Sequence, residues 1–268
     1  LEFLVIDSLE TRSLLHGFSV TPEGFLVVQM FDVNNRVDFT QGATAINVTM
    51  YENNVVEESE SFLLSQLNAV LVYGSALANT INLGNVSIPV GVDAGKGSDS
   101  VTGGLGRDTL KGGPGNDTLI GNDGDDVIDG AKGRDNMTGG AGRDILDYLT
   151  RTLDVRVILS DTANNGETGE NDTATTSFEI VRGGAGNDYL STTSSRSVTL
   201  IGSAGNDTLI GGKGNDALVG DAGLDVFEGN DGNDSFYAQD GVVESLRGGN
   251  GTDVILQKDK KDKLFDIP

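Results

Sequence analysis

Twelve aspartates recur at one fixed phase along the chain: Asp99, Asp108, Asp117, Asp126, Asp135, Asp144, Asp188, Asp207, Asp216, Asp225, Asp234 and Asp253. Each stands two residues after a glycine and two before an apolar residue. Carboxylates and nearby backbone carbonyls are hard oxygen donors. Calcium takes six to eight such oxygens at roughly 2.3–2.6 Å, so repeated Asp beside Gly points to calcium as the cofactor. The chain has no cysteine and a single histidine, His16. Thiolate metal sites and a cysteine nucleophile are therefore excluded, and His16 has no partner for zinc or acid–base work.

The bulk composition agrees. Forty-one acidic residues against 18 basic ones give a formal charge of −23. Such a chain repels nucleic acid and anionic membranes and attracts divalent cations. No apolar run approaches the roughly 18 residues a bilayer span needs, so neither nucleic-acid partners nor membrane insertion is expected. No HExxH or GxSxG motif is present, and the reading is of a non-enzyme.

The elements that must position these aspartates follow from a nine-residue period. Six units run without a break from Ala94 to Asp147, a seventh starts at Gly183, four more run from Gly202 to Tyr237, and the last starts at Gly248. Position six is always Asp. Position four is always Gly: Gly97, Gly106, Gly115, Gly124, Gly133, Gly142, Gly186, Gly205, Gly214, Gly223, Gly232 and Gly251. Position two is often Gly, as at Gly95, Gly104, Gly113, Gly140, Gly184, Gly212 and Gly249. These glycines join the aspartates as candidate metal-binding residues, because Gly lets backbone carbonyls approach an ion with no Cβ in the way. Position eight is always apolar: Val101, Leu110, Leu119, Ile128, Met137, Leu146, Leu190, Leu209, Leu218, Phe227, Phe236 and Ile255. It reads as the inward residue of a three-residue strand.

The pattern G-G-x-G-x-D-x-U-x, twelve times over, resembles the RTX (repeats-in-toxin) calcium-binding nonapeptide family. The resemblance implies an all-β fold, a right-handed parallel β-roll or β-helix solenoid in which two nonads make one turn. It also implies calcium between loops stacked two repeats apart. Carried onto this chain, it pairs Asp99 with Asp117, Asp108 with Asp126, Asp117 with Asp135, Asp126 with Asp144, Asp207 with Asp225 and Asp216 with Asp234. Two further pairs, Asp188 with Asp207 and Asp234 with Asp253, skip degenerate turns at 192–201 and 238–247. About eight sites would bring roughly sixteen positive charges against the −23. One inward apolar residue per nonad does not offset chain entropy and carboxylate repulsion, so folding and metal binding are expected to be coupled. Metal-free Asx-turns are the plain alternative for the Asp-Gly loops.

The remaining segments read as follows. Residues 1–17 form an N-terminal segment in which Phe3, Leu4, Val5 and Ile6 are assembly candidates. Leu9 to Leu15 resembles a Leu-Glu-x-Arg-x-Leu-Leu element of exported bacterial surface proteins with such arrays. Residues 18–93 read as a β-rich, calcium-poor coil or cap, with strands at 25–28, 46–51, 69–73 and 86–92 and a β-sandwich as the alternative. Within it 74–82 is a decayed nonad with Asn79 at the Asp position. The first roll block spans 94–147, a degenerate coil with a polar loop 148–182, the second block 183–257, and a charged tail 258–268. Lysines there, Lys258, Lys260, Lys261 and Lys263, would block edge pairing. Outward positions seven and nine carry Ile120, Val127, Ile145, Ile210, Val219, Val226 and Tyr237, either as a contact surface or for strand propensity.

The expected function is a secreted, extracellular or cell-surface calcium-binding structural protein that folds on binding calcium. Self-association into a homo-oligomer, filament, sheath or matrix would extend that role. A calcium-dependent export module of a secreted enzyme and an adhesin module are the alternatives.

Overall fold

The computed structural model describes residues 17–30, 35–238, 240–260 and 262–267. The assembly candidates Phe3, Leu4, Val5 and Ile6, the element at 9–15, His16 and Lys261 lie outside the described residues. The fold is all-β, a parallel β-solenoid, in two compact units. One unit extends to Asn136 and takes in Gly140–Gly142; the other comprises Met137–Gly139 and the chain from Arg143. Among the described residues the only helix-like element is the 3-10 turn Leu64–Gln66. No described helix is long and apolar enough to cross a membrane.

In the first unit, strands Phe25–Gln29, Ala69–Ser75, Val90–Gly95, Thr109–Lys111 and Val127–Asp129 stack in parallel as one sheet. Asn35–Gln41, Thr80–Asn82, Ser100–Thr102 and Thr118–Asp123 stack in parallel as another. The pairing Ser100↔Thr118 is one full turn of 18 residues, so two nonads make one turn as the resemblance implies. Because the stride is even and the strands begin at one phase, the inward residues superpose. Val101 sits opposite both Ile81 and Leu119, and Leu110 opposite both Val92 and Ile128, all fully buried.

The same rule builds the second unit. Ile145–Asp147, Ile180–Arg182, Thr199–Ala204, Ala217–Ala222, Ser235–Ala238 and Val254–Lys258 form one parallel sheet. Val155–Glu167, Tyr189–Thr192, Thr208–Ile210, Val226–Asp231, Ser245–Asn250 and Lys263–Phe265 form the other. Leu209 lies between Leu190 and Phe227, and Leu218 between Leu200 and Phe236. The Phe227 and Phe236 rings fill the narrow interior edge to face, 6.2 Å apart. Ile255 is the exception at position eight: it is only half-buried, because its strand is the last of its sheet among the described residues.

Several segments differ from the sequence reading. The strands of 18–82 join the same parallel ladders, and antiparallel strands finish both sheets: Phe18–Val20 on one, Ala45–Glu52 and Val55–Leu63 on the other. Asn35–Gln41 and Val55–Leu63 are strands not expected from the sequence, and 86–89 is not a strand. The polar loop after Val155 is a hairpin instead, with Val155–Glu167 running antiparallel to Asp172–Ala174. Its ladder is irregular where Asn164 and Gly166 take positive φ, which hid it from a period-two pattern. Lys263 opens a paired strand, so the lysine-rich tail continues the stack. Of the outward apolar residues only Val226 is exposed; Ile120, Val127, Ile145, Ile210, Val219 and Tyr237 are half-buried.

Truncating an inward residue removes contacts from both neighbouring turns. Leu119→Ala is expected to cost about 2–5 kcal/mol, whereas Val226→Thr on the outer face stays within about 0.5 kcal/mol. Urea midpoints of the calcium-loaded proteins check this; equal losses would contradict the inward assignment.

Candidate metal centres

Each position-six aspartate sits in the corner just before a strand, and its side chain turns along the stack. At eleven of the twelve, Oδ1 accepts the backbone N–H of the position-six residue one turn earlier. In the first unit Asp99 donates to Asp117, Asp108 to Asp126 and Asp117 to Asp135, each at 2.8 Å. In the second, Asp188 donates to Asp207 at 2.7 Å, Asp207 to Asp225 and Asp216 to Asp234 at 2.8 Å, and Asp234 to Asp253 at 2.9 Å. The two pairs separated by degenerate turns thus stack as the others do, although they are 19 residues apart rather than 18. All twelve aspartates are buried, between 0 and 4% exposed.

The second carboxylate oxygen divides the ladder into two kinds of position. The Oδ2 atoms of Asp99, Asp117, Asp207, Asp234 and Asp253 are buried and receive no hydrogen bond. Those of Asp108, Asp188 and Asp216 instead accept the N–H of their own position-two glycine, Gly104, Gly184 and Gly212, at 2.6–2.7 Å. These three stack beneath degenerate turns whose position-six residue is valine: Val90, Val155 and Val198. The decayed nonad behaves alike. Asn79 donates its N–H to Asp99 and closes its own turn by accepting Ser75 N–H at 2.7 Å. A side chain stacked on a valine corner therefore folds back, while Asp99, Asp117, Asp207, Asp234 and Asp253, stacked on an asparagine or an aspartate, leave an oxygen open.

The glycines fit this geometry. A Cβ on Gly124, whose φ is +124°, would overlap the carbonyl oxygen of Gly106 one turn earlier. A Cβ on Gly223, at φ +146°, would overlap that of Gly205. Position-four carbonyls therefore line the corners directly against the stack, beside the aspartates. Position-one glycine answers to a different constraint that the sequence reading did not assign. A Cβ on Gly202 or Gly112 would overlap the Oδ2 of its own unit's Asp207 or Asp117. Position two takes a left-handed backbone in nine of the twelve units, without glycine at Asn122, Ala131, Ser203, Asp221 and Asn230; Gly104, Gly184 and Gly212, which donate to their own aspartates, do not.

A second ladder also escaped the sequence reading. Position-five side chains accept the N–H of the position-five residue one turn later: Asn116 from Arg134, Asn187 from Asn206, Asn206 from Leu224, Asn215 from Asn233 and Asn233 from Thr252. These bonds run opposite in sense to those of the aspartates, so these corners are clasped in both directions. The recurrent Asn-Asp dipeptide was the available signal.

Buried carboxyls without counter-charge are held away from their ordinary range. Burial pushes Asp99, Asp108 and Asp207 up to about 7, and Asp117 and Asp234 up to about 6, against backbone N–H groups that pull them down. Asp188, Asp216 and Asp225 are raised for the same reason. An open buried oxygen, a carbonyl-lined corner and a carboxylate that resists ionising alone together fit a divalent, oxygen-seeking cation.

Two outcomes follow. A carboxyl raised in the folded state favours the fold below its unfolded value near 4 and loses that contribution as pH rises through 6–7. Without calcium, acidifying from pH 8 to pH 5 should therefore increase the β signal in circular dichroism, and calcium should be needed in greater excess below pH 6. A chelated chain indifferent to pH would contradict this. Separately, Gly124→Ala should weaken calcium-induced folding, with the calcium midpoint raised severalfold, because strain and overlap fall on the same corner.

The family comparison follows the same corners. The model of the RTX calcium-binding nonapeptide repeat (4 copies) matches residues 92–119, 111–146, 173–194, 199–227 and 219–242. No curated protein matches the chain significantly. The matched segments contain eleven of the twelve ladder aspartates, all but Asp253. The chain thus carries RTX calcium-binding nonapeptide repeats in both of its units, over residues 92–146, 173–194 and 199–242.

Proposed function

We propose that this chain is an exported structural protein that gains its β-solenoid by binding calcium at the aspartate ladder. The observation that carries the reading is the set of buried, donor-free Oδ2 atoms on Asp99, Asp117, Asp207, Asp234 and Asp253. A buried carboxylate without a partner costs several kcal/mol, and hydrogen bonds from the chain occupy only its other oxygen. Calcium supplies charge and coordination together. The ligands are the stacked aspartates and the position-two and position-four glycine carbonyls, at about eight sites.

The extracellular assignment rests on calcium supply. Corners of this open, repetitive kind suit the weaker end of calcium affinity, which millimolar extracellular calcium meets and resting cytosol does not. Folding would then follow export. Self-assembly is the finer part of the proposal. The edge strand Val55–Leu63 exposes Glu57 and Glu60, and like charges oppose pairing of that edge with a second copy. Contact through Phe3, Leu4, Val5 and Ile6 is the remaining route from the sequence reading.

Sedimentation velocity in chelator and in millimolar calcium, at two protein concentrations, tests both parts. The expected result is an expanded chain that compacts with calcium; no response would overturn the proposal. Large calcium-dependent species would support assembly, and a compact monomer at both concentrations would remove it.

A further inference from the structure

The turn at 238–247 and the tail at 258–268 both depart from the nonapeptide consensus, yet the strand register carries the ladder through them. Phe227 pairs with Leu246, and Leu246 pairs with Leu264, which places both leucines at position eight. Glu244 and Asp262 then fall at position six. Glu244 N–H points at Asp262 Oδ1 at 3.3 Å across 18 residues, a longer version of the bond linking the aspartates. Lys263 N–H bonds Glu244 O, as Ser245 N–H bonds Asp225 O, so the strand entries repeat as well.

The surroundings of this pair differ from those of the nonads. Position four is Val242, which is exposed and brings no glycine corner. In its place two carboxylates enter from the loops, Asp240 and Asp259. Oxygens of Asp240, Glu244 and Asp259 lie within 4.8 Å of one another. Three of the four acids are fixed by backbone N–H groups. Asp240 accepts from Gly223 and Val242, Asp259 from Gly241 at 2.6 Å, and Asp262 from Asp259 at 2.6 Å. Glu244 is the fourth. It is 1% exposed, it faces the other acids, and neither of its side-chain oxygens receives a hydrogen bond. Acids alone would be a poor argument, since they cluster on many surfaces. A fully buried glutamate with both oxygens open toward three anchored carboxylates is an arrangement that a cation completes.

We propose that Asp240, Glu244, Asp259 and Asp262 bind a calcium ion at the C-terminal end of the second unit, through side-chain carboxylates in place of glycine carbonyls. With no imidazole or thiolate in the set, a hard cation is the chemical match. Burial, with Asp262 and Asp240 facing it, pushes the Glu244 acid up to about 8, as expected of a carboxylate awaiting a counter-charge. The site rests on its own residues and not on the ladder.

Calcium per chain, measured by equilibrium dialysis and elemental analysis on the full chain, tests it. Glu244→Gln and Asp259→Asn should each lose about one equivalent while circular dichroism in calcium stays unchanged. Unaltered stoichiometry in both variants would overturn the proposal and assign the cluster to a proton shared between Glu244 and its neighbours. Should Glu244→Gln not fold, Asp259→Asn, at the half-buried rim, decides alone. A parent chain that binds only one equivalent, lost in Glu244→Gln, would sink the ladder reading and keep this one.

Discussion

Everything in this molecule depends on the bond from a position-six N–H to the aspartate Oδ1 one turn further along. It satisfies a backbone donor that has no strand partner, because it lies in the corner. It also pulls each carboxylate inward to between 0 and 4% exposure and fixes which of its oxygens is spent. The open oxygen, the steric demand at position one and the displaced carboxyl equilibria are consequences of that single contact. The apolar ladder inside is too thin to act alone, with one side chain per nonad, and the hydrogen bonds give it its register.

The period of nine made the twelve aspartates and their inward partners legible, because one chain repeats its own experiment a dozen times. Two nonads per turn came from resemblance, and the 18-residue pairings agree. The ends of the ladders were not legible. Val90, Val155 and Val198 take the aspartate's place at the corner, but a valine at the head of a short apolar strand looks like any strand residue. Their effect, a carboxylate turned back onto its own glycine, exists only in three dimensions. The recurrence of asparagine at position five, as at Asn116 and Asn206, was in plain view but did not say which way the side chain turns.

The flanking strands were missed for a different reason. In Asn35–Gln41 only Val37 and Phe39 are apolar, too few to show alternation, and both are buried. Val55–Leu63 is an edge strand that leaves most of its length in water, so neither face needs a hydrophobic pattern. Glu244 shows how strict matching fails. A glutamate at the aspartate's phase, without the glycine two places earlier, looks like decay by consensus and like continuation by register.

The uneven spacing of the stacked aspartates has a meaning for descent. Steps of 18, 19 and 33 residues end in the same kind of contact at 2.7–3.1 Å, the last running from Val155 to Asp188 with an entire hairpin looped out between them. The fold therefore does not count residues; it checks each corner locally and ignores what bulges out beyond it. Genes that encode such a chain can gain or lose letters in whole codons at the outer bends, or duplicate a pair of repeats, without disturbing neighbouring turns. An array of this kind can be copied, worn and patched over generations while each surviving corner stays as selective as before.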